Sequence, residues 1–203
     1  MPPGAVLLFV DATILRLFPP LRYAWAFRGQ PAVVRISGQN AKCILFGAIN
    51  PVTGHRLILR RPGMRQQDCQ AFFQHLRDHY PGRPLWLLLN RAPGQEAAKT
   101  QMLAARLGIV LLWLPKKCSE LNAVDHLWRE LKRLIAANRQ FPTMDVEADY
   151  AVGWFLGLSA RAALRKAGIL SKHSWLRDFL RSFCKPTRRS RRPTRPSLPA
   201  PPR

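Results

Sequence analysis

Three polar residues stand at the ends of buried apolar runs in this sequence. Asp11 lies near the end of the first run, Asn90 closes the fourth, and Asp125 opens the amphipathic segment after the fifth. Such positions are unusual, because a buried polar group needs a partner. Carboxylate and amide oxygens suit Mg²⁺ and Mn²⁺, and two such ions about 4 Å apart catalyse phosphoryl transfer. We therefore expect Asp11, Asn90 and Asp125 to form a catalytic metal site.

This chemistry requires the three positions to converge, and the predicted elements allow it. Apolar, β-rich runs predict five strands, and a change to helical periodicity predicts helices between and after the later strands. The strands are expected at residues 5–13, 42–50, 56–61, 84–90 and 109–114, and the helices at about 66–79, 95–107 and from 122 onward. Proline and glycine within residues 51–55 suit a hairpin connection. We predict an α/β fold with a mixed five-stranded sheet in the order β-β-β-α-β-α-β-α.

The segment after Asn122 predicts an amphipathic helix, because its apolar residues recur at spacings of three and four. These residues are Val124, Leu127, Trp128, Leu131, Leu134 and Ile135. Asn122 suits the N-cap, which puts Asp125 in the first turn. In the simpler interpretation, Asp125 is only the acid of a capping box and pairs with Arg129 four residues later. Its association with Asp11 and Asn90 favours the metal role.

The charge of the chain indicates a polyanionic partner. The 203 residues are 47% hydrophobic and carry a formal net charge of +22. That composition is typical of a folded protein, and the charge favours nucleic acid over small metabolites. Four cysteines without metal-binding spacing, and no apolar run near the ~20 residues of a membrane helix, predict a cytoplasmic protein with reduced thiols.

The C-terminal part divides into two regions. Short helical segments near residues 144–156, 159–167 and 171–183 predict a helical appendix packed on the sheet. Residues 185–203 are rich in proline and arginine and have almost nothing to bury, so we expect a disordered basic tail. The expected division is a catalytic domain at 1–140, an appendix of the same domain at 141–184, and the tail.

Several short motifs resemble the catalytic domain of the mariner-related bacterial insertion-sequence transposases, the DDE superfamily endonucleases. They are Phe9-Val10-Asp11, Pro19-Pro20-Leu21-Arg22, Ala24-Trp25, Arg28-Gly29-Gln30, Leu87-Leu88-Leu89-Asn90, Ala92-Pro93, Leu114-Pro115, Glu120-Leu121-Asn122 and Leu127-Trp128-Arg129-Glu130-Leu131-Lys132. The last block is the most specific. The resemblance covers roughly residues 5 to 180.

The resemblance implies a ribonuclease H-like fold and a DDE or DDD triad that binds two Mg²⁺ or Mn²⁺ ions. It also implies DNA, as transposon ends and target, for strand cleavage and strand transfer. The triad falls on Asp11, Asn90 and Asp125, and 34 residues separate the last two, a spacing known for such transposases. Basic residues near the site are expected to contact nucleic acid. They are Lys116, Lys117, Arg129 and Lys132.

The sequence departs from the family pattern at the second acid. Family members usually have Asp where this chain has Asn90, and Arg91 beside it adds a positive charge. Asp125 stands where bacterial members mostly have Glu, although mariner elements use Asp. Changes around a metal site commonly cost about 10- to 100-fold in affinity or activity, and losing a ligand costs at least that. We therefore expect weak or absent activity.

Two further expectations concern partners. Related transposases carry an N-terminal helix-turn-helix region, so we expect a separate DNA-binding part encoded upstream, and also a homodimer.

Two alternatives to the proposed function stay open: a catalytically inactive nucleic-acid-binding remnant, and another ribonuclease H-like nuclease that acts on RNA hybrids or junctions.

Residues near the proposed site also have simpler interpretations. Trp25 and Trp128 are expected in the core rather than as platforms for base stacking. Lys116 and Lys117 are, in the same simpler view, ordinary solvated lysines.

Overall fold

The structure of the chain is a computed structural model that describes residues 2–19, 25–30, 33–34, 36–135 and 140–176. Its elements are β1 Val6–Arg16, β2 Lys42–Ile49, β3 Arg56–Arg61, α1 Gln66–His79, β4 Leu85–Leu89, α2 Pro93–Glu96, α3 Ala98–Arg106, β5 Ile109–Trp113, a 3₁₀ turn Ser119–Leu121, α4 Ala123–Ile135, α5 Met144–Gly157 and α6 Ala160–Lys166. The predicted order of strands is confirmed. The helix predicted at 95–107 is instead two helices, because Ala97 adopts an extended backbone (φ −56°, ψ 131°) between them.

The five strands form one mixed sheet in the order β3-β2-β1-β4-β5. β1 is antiparallel to β2 and parallel to β4, and β5 continues the parallel half. A continuous apolar run suits β4, which is mostly buried, since helices cover both faces of such strands. The prediction that β5 is also buried on both faces is wrong: β5 is an edge strand, Val110 is exposed, and the residues after it are only partly buried. β1 is therefore the central strand, and Asp11 lies midway along it, directly after the last residue that pairs with β4.

Alternate residues of β1 enter two separate cores, because successive side chains of a strand point to opposite faces. Leu7 and Phe9 belong to the core beneath α4, α5 and α6. Val6 and Leu8 belong to the core beneath α1 and α3. Asp11 follows the alternation of Leu7 and Phe9, so its side chain lies on the α4 side of the sheet.

Helix α4 packs its apolar stripe on the sheet and against α5. Trp128 stacks on Phe155 of α5 with ring centroids 4.9 Å apart, and both side chains lie over Gly47 of β2. The predicted stripe is confirmed except at Leu134, which is 54% exposed. Leu134 falls at the edge of the stripe, where the helix surface turns towards solvent.

The residues between β1 and β2 differ from one expectation. Trp25, expected in the core, is fully exposed, and Phe27 beside it is also exposed. Both lie in residues 25–30, which leave the sheet after β1 and form neither helix nor strand. Trp128 is buried, as expected.

The described C-terminal region contains α5 and α6, close to the predicted positions. The prediction of a helix at 171–183 is wrong for residues 171–175, which form turns rather than a helix, and the part beyond residue 176 lies outside the described residues. The predicted tail at 185–203 also lies outside the described residues. Within the described ranges, no helix has the length and apolar character needed to cross a membrane.

Candidate active site

The strand register brings Asp11 and Asn90 together. In the parallel pairing of β1 with β4, Val10 is opposite Leu89, so the residues that follow them are neighbours at the same edge of the sheet. Asn90 Nδ2 donates a hydrogen bond to Asp11 Oδ1 across 3.3 Å. A carboxylate and the residue in the predicted second acidic position therefore share one site.

Asp125 reaches the same edge because Asn122 fixes the start of α4 to β1. The fully buried Asn122 side chain donates from Nδ2 to the Val10 carbonyl oxygen (2.9 Å), and its Oδ1 accepts from the Val124 N–H (3.1 Å). The second bond is the predicted N-cap interaction. The first anchors the helix beside the middle of the central strand, and Asp125 then lines the same cavity as Asp11.

Electrostatics at this edge are dominated by the burial of Asp11. The pKa of Asp11 is raised from its ordinary value of 3.8 to about 7, and desolvation by burial is the main cause. The charge of Asp125 also raises the pKa, whereas the Ala12 N–H, Lys132 and Asn90 lower it. Burial has this effect because a low-dielectric surrounding disfavours the charged carboxylate. A bound cation would reverse that balance, so Asp11 is a carboxylate that gains from a positive partner.

Asp125 has a partner of its own. Arg129 Nη2 donates to Asp125 Oδ2 at 2.5 Å, which is the i,i+4 ion pair predicted from the sequence. Arg129 is about half exposed, so the pair is accessible to solvent and to ions. The pairing of Asp125 with Arg129 and its position beside Asp11 are therefore compatible. The predicted capping box is not formed, because the Asn122 N–H donates to the Ser119 carbonyl oxygen.

The ligand set fits a hard divalent cation, although with one charge fewer than three acids would supply. Asp11 and Asp125 offer two carboxylates, and the Asn90 side chain carries an amide oxygen, all of them oxygen donors of the kind that Mg²⁺ and Mn²⁺ prefer. In the described part of the chain, no group of three His, Cys, Asp or Glu side chains could hold a metal ion. The missing third acid coincides with Asn90.

Basic residues surround the site in different ways. Lys132 lines the cavity and acts on Asp11 through its charge. Lys116 and Lys117 are exposed after β5, and Lys117 has a left-handed backbone (φ 60°) that is uncommon for a residue with a side chain. Arg91, predicted to add charge beside Asn90, pairs with Glu96 at 3.1 Å and lies 5.8 Å from the centroid of the Trp113 ring. Its charge is thus partly engaged away from Asp11.

A cavity of about 760 Å³ extends from Asp11 and Asp125 between β1 and helices α4 and α5. Three of its buried polar lining residues were not singled out from the sequence as site residues: Thr13, Trp128 and Glu147. Trp128 was expected only as a core residue. Burial raises the pKa of Glu147 from its ordinary value of 4.5 to about 7. Glu147 lies in the first turn of α5, where an acid is ordinary, so the sequence carried no signal for it.

Comparisons with known proteins agree with this geometry. A family model described as "DDE superfamily endonuclease" matches residues 6–146. No curated protein matches the chain.

Solved structures of the Mos1 transposase have the same fold. The Mos1 paired-end complex with the left transposon end matches with a TM-score of 0.62 and 17% identity over 79% of this chain and 51% of that chain. The mariner Mos1 paired-end complex with Mg matches with a TM-score of 0.63 and 17% identity over 80% of this chain and 51% of that chain. The Mos1 catalytic domain matches with a TM-score of 0.57 and 14% identity over 79% of this chain and 74% of that chain. The chain therefore spans about half the length of the Mos1 chains in the paired-end complexes. The predicted ribonuclease H-like fold is confirmed by these matches.

Proposed function

The chain belongs to the DDE superfamily endonucleases, whose model matches more than half of it, and we propose that it is the catalytic domain of a transposase. Its activity would be metal-dependent cleavage of DNA strands and their transfer to a target. The observation that carries this proposal is the site on β1 where its pairing with β4 ends, because Asp11 there bonds to Asn90 and shares a cavity with Asp125. The basic composition supports DNA as the substrate.

In this proposal, Asp11, Asn90 and Asp125 hold Mg²⁺ or Mn²⁺. The cations would supply the positive charge that a reacting phosphodiester needs. Asp11 is held by the sheet and Asp125 by a capped helix, so neither needs to reorganise its backbone on binding. Mos1 structures with Mg and with Mn support the choice of ion.

We propose that this activity is impaired. Asn90 supplies no negative charge, and its amide N–H faces Asp11. Lys132 and Arg129 act on the two remaining carboxylates from within the chain. Each of these contacts replaces part of the attraction that a cation would otherwise receive, so weak metal affinity follows.

The DNA contacts are proposed to include Lys116, Lys117, Arg129 and Lys132. Each is an exposed basic residue on α4 or on the segment between β5 and α4. Solved Mos1 complexes contain transposon ends, which supports DNA ends as a partner here. Lys and Arg on such a surface would bind the phosphate backbone without reading its sequence.

We also make proposals about the partners, the domain organisation and the location of the chain. We propose a homodimer, supported by the exposed aromatic side chains of Trp25 and Phe27, and a separate helix-turn-helix part that reads the DNA ends. We also propose that residues 141–184 belong to the catalytic domain of 1–140, since Phe155 of α5 packs on Trp128 of α4. The free thiols of Cys43, Cys69 and Cys118 support a cytoplasmic location.

A nicking assay tests the proposed activity. The purified chain is incubated with supercoiled plasmid in Mg²⁺ or Mn²⁺, beside Asp125→Asn and a control, Glu130→Gln, which removes an acid of the same helix that pairs with Arg133 and Lys166. We expect slow, metal-dependent nicking that is lost in Asp125→Asn and retained in Glu130→Gln. Equal nicking by all three proteins, or nicking in EDTA, would refute the assignment.

One observation favours a second candidate, a nucleic-acid-binding remnant without catalysis. Asn90 and Arg129 already satisfy Asp11 and Asp125 without any metal. Titrating Mn²⁺ separates the two candidates, because a ligand stabilises a protein only if it binds the folded state. A rise in Tm that is absent in Asp125→Asn supports the enzyme, and an unchanged Tm supports the remnant. A panel of DNA, RNA–DNA hybrid and junction substrates tests the remaining alternative, a different ribonuclease H-like nuclease.

A further inference from the structure

Helix α1 carries two neighbouring histidines, His75 and His79, at its surface. They are four residues apart, so they lie on successive turns of one helix face. Their ring centroids are 4.3 Å apart, and the ring planes meet at 59°. Among the described residues, neither imidazole forms an ion pair with an acid, and the adjacent Asp78 accepts a hydrogen bond from Gln74 instead.

The ring of His79 is held so that one of its nitrogens is available to a ligand. Its Nδ1 atom lies 2.9 Å from the carbonyl oxygen of His75. A carbonyl oxygen only accepts, so Nδ1 carries the proton, and Nε2 carries the lone pair of the neutral ring. Histidines that bind metals have this arrangement, because they donate the other ring N–H to a carbonyl or a carboxylate.

The ring of His75 is oriented by the core beneath it. It lies nearly parallel to the ring of Phe72, at 25° and with centroids 6.3 Å apart. Phe72 is fully buried, His75 is partly buried and His79 is exposed. One imidazole is therefore fixed by packing and the other by a hydrogen bond, and solvent reaches both.

The spacing of the two rings suits a shared ion. Bonds from Zn²⁺ to histidine are ~2.0–2.1 Å long, so two nitrogens on one ion are roughly 3–3.5 Å apart. Rings whose centroids are 4.3 Å apart reach this separation through small side-chain rotations. The described residues supply no third His, Cys, Asp or Glu to such a group, so water would fill the other positions, as it does in open metal sites.

The ligand type and the location distinguish this pair from the carboxylates on β1. Imidazole suits Cu²⁺, Ni²⁺ and Zn²⁺, whereas Mg²⁺ and Mn²⁺ prefer carboxylate oxygens. Helix α1 covers the core that contains Val6 and Leu8. The Asp11 side chain lies on the opposite side of the sheet, in the cavity next to α4.

We propose that His75 and His79 together bind one divalent transition-metal ion of the class that prefers imidazole, namely Cu²⁺, Ni²⁺ or Zn²⁺. The ion links two successive turns near the C-terminal end of α1 and stabilises that end of the helix. This site is independent of the proposed function, because it shares neither residues nor preferred ions with the site at Asp11.

The test is a Zn²⁺ titration of the full chain at pH 8, where imidazoles are neutral ligands. The chain has five histidines, and the ¹H–¹⁵N ring signals of each are identified by their loss in a His→Gln variant. We expect saturable shifts of the His75 and His79 signals at one equivalent, with His79 Nδ1 still protonated. Mg²⁺ should cause no such shifts, and Asp125→Asn should bind Zn²⁺ as well as the wild type does.

Variants locate the binding by calorimetry. His75→Gln and His79→Gln should each weaken the Zn²⁺ affinity at least tenfold. His173→Gln is the matched control, because it removes an exposed histidine elsewhere in the chain, and it should leave the affinity unchanged. Gln74→His combined with His75→Gln keeps five histidines but places the pair five residues apart on different helix faces, so it should bind no better than His75→Gln alone.

Several outcomes would overturn the proposal. They are no saturable shift at millimolar Zn²⁺, equal shifts of all five histidines, undiminished affinity in His79→Gln, or loss of binding in Asp125→Asn. Circular dichroism verifies that the variants fold, and the exposed position of His79 keeps its variant informative if His75→Gln does not fold. Failure of the nicking assay with a positive Zn²⁺ titration removes the proposed function alone, and the reverse result removes only this site.

Discussion

At the scale of single residues, Asn90 decides how the site behaves. An amide and a carboxylate have nearly the same shape, so Asn90 fits the strand end without disturbing β1 or β4. Unlike an aspartate, Asn90 is neutral and has an N–H donor, which hydrogen-bonds to Asp11. In the proposed metal site, Asn90 in place of an acid would therefore change the affinity for cations while leaving the fold intact.

Asn90→Asp should restore much of the missing metal affinity. The added carboxylate removes the hydrogen bond to Asp11 and adds a negative charge that repels Asp11 and Asp125 in the absence of metal. We expect a lower Tm in EDTA, a Mn²⁺-dependent rise in Tm, and at least a tenfold gain in nicking rate. Asn90→Ala is the control, since it removes the amide without adding charge. If the wild type nicks DNA as fast as Asn90→Asp, the proposal that Asn90 impairs the activity is wrong.

Glu147 should make the stability depend on pH. Its pKa is about 7 in the folded state against an ordinary 4.5, so between these values the folded state holds a proton that the unfolded state has lost. Stability therefore falls as pH rises through this window, by roughly 3 kcal/mol for this one group. The unfolding free energy of Glu147→Gln should not fall in this way as the pH rises. Urea unfolding at pH 5, 6, 7 and 8 measures it, and parallel curves for wild type and variant would contradict it.

At the scale of secondary structure, the start of α4 holds the site together. The Asn122 side chain accepts a hydrogen bond from the Val124 N–H of the helix and donates one to the Val10 carbonyl oxygen of the central strand. Few side chains other than asparagine combine a donor and an acceptor at so short a reach. The position of Asp125 therefore depends on a fully buried residue that does not line the cavity.

Asn122→Ala should cost about 2–3 kcal/mol of unfolding free energy. It removes an N-cap and leaves the buried Val10 carbonyl without that donor. Ser159→Ala is a useful comparison, since it removes only a cap from the exposed start of α6 and should cost about 1 kcal/mol. Denaturant unfolding measures both. Equal losses would mean that the bond to Val10 contributes nothing.

The contact of α4 and α5 with the sheet requires glycine at position 47. A Cβ there would lie 2.5 Å from Trp128 Cζ2 and 3.3 Å from Phe155 Cζ. Gly47→Ala should therefore destabilise by about 1–3 kcal/mol through overpacking. Gly153→Ala, in open space on α5, should stabilise by up to about 1 kcal/mol. Thermal unfolding of both tests the packing, and a stable Gly47→Ala would contradict it.

The sequence predicts this level of organisation well where a local pattern controls it. Periodicity located the strands and α4, and polar residues at strand ends predicted that Asp11 and Asn90 would be neighbours. Trp25 was misplaced because hydrophobicity alone does not distinguish a core residue from an exposed loop residue. Thr13 and Glu147 carried no signal, because their shared cavity depends on how α5 packs on the sheet. The same holds for the bond from Asn122 to Val10, whose partners are 112 residues apart.

At the scale of the whole molecule, charge determines how the chain would bind DNA under the proposed function. The net charge is +22, and acids such as Asp125, Glu96 and Glu130 are already paired with arginine. Much of the basic surface is thus free to bind phosphate, and binding without base contacts is strongly salt-dependent.

DNA affinity should fall steeply as the salt concentration rises, and residues 185–203 should make this dependence steeper. That segment carries seven Lys and Arg residues, and removing one basic residue that binds a phosphate makes the slope of log K against log[salt] shallower by about 0.9. We compare the full chain with one in which the seven are glutamine, which keeps the length unchanged. Fluorescence anisotropy from 50 to 300 mM KCl measures the slopes. Identical slopes would show that these residues bind no phosphates.

The bond between Asn122 and Val10 also orders events during synthesis. Chains emerge from the ribosome N-terminus first, so Asp11 appears early, Asn90 much later, and the anchor of α4 only after residue 122 has been made. Because Asp125 is positioned by that anchor, the two carboxylates meet only when nearly the whole sheet has assembled around β1. The proposed metal site therefore stays incomplete until Asp125 and the start of α4 have been synthesised.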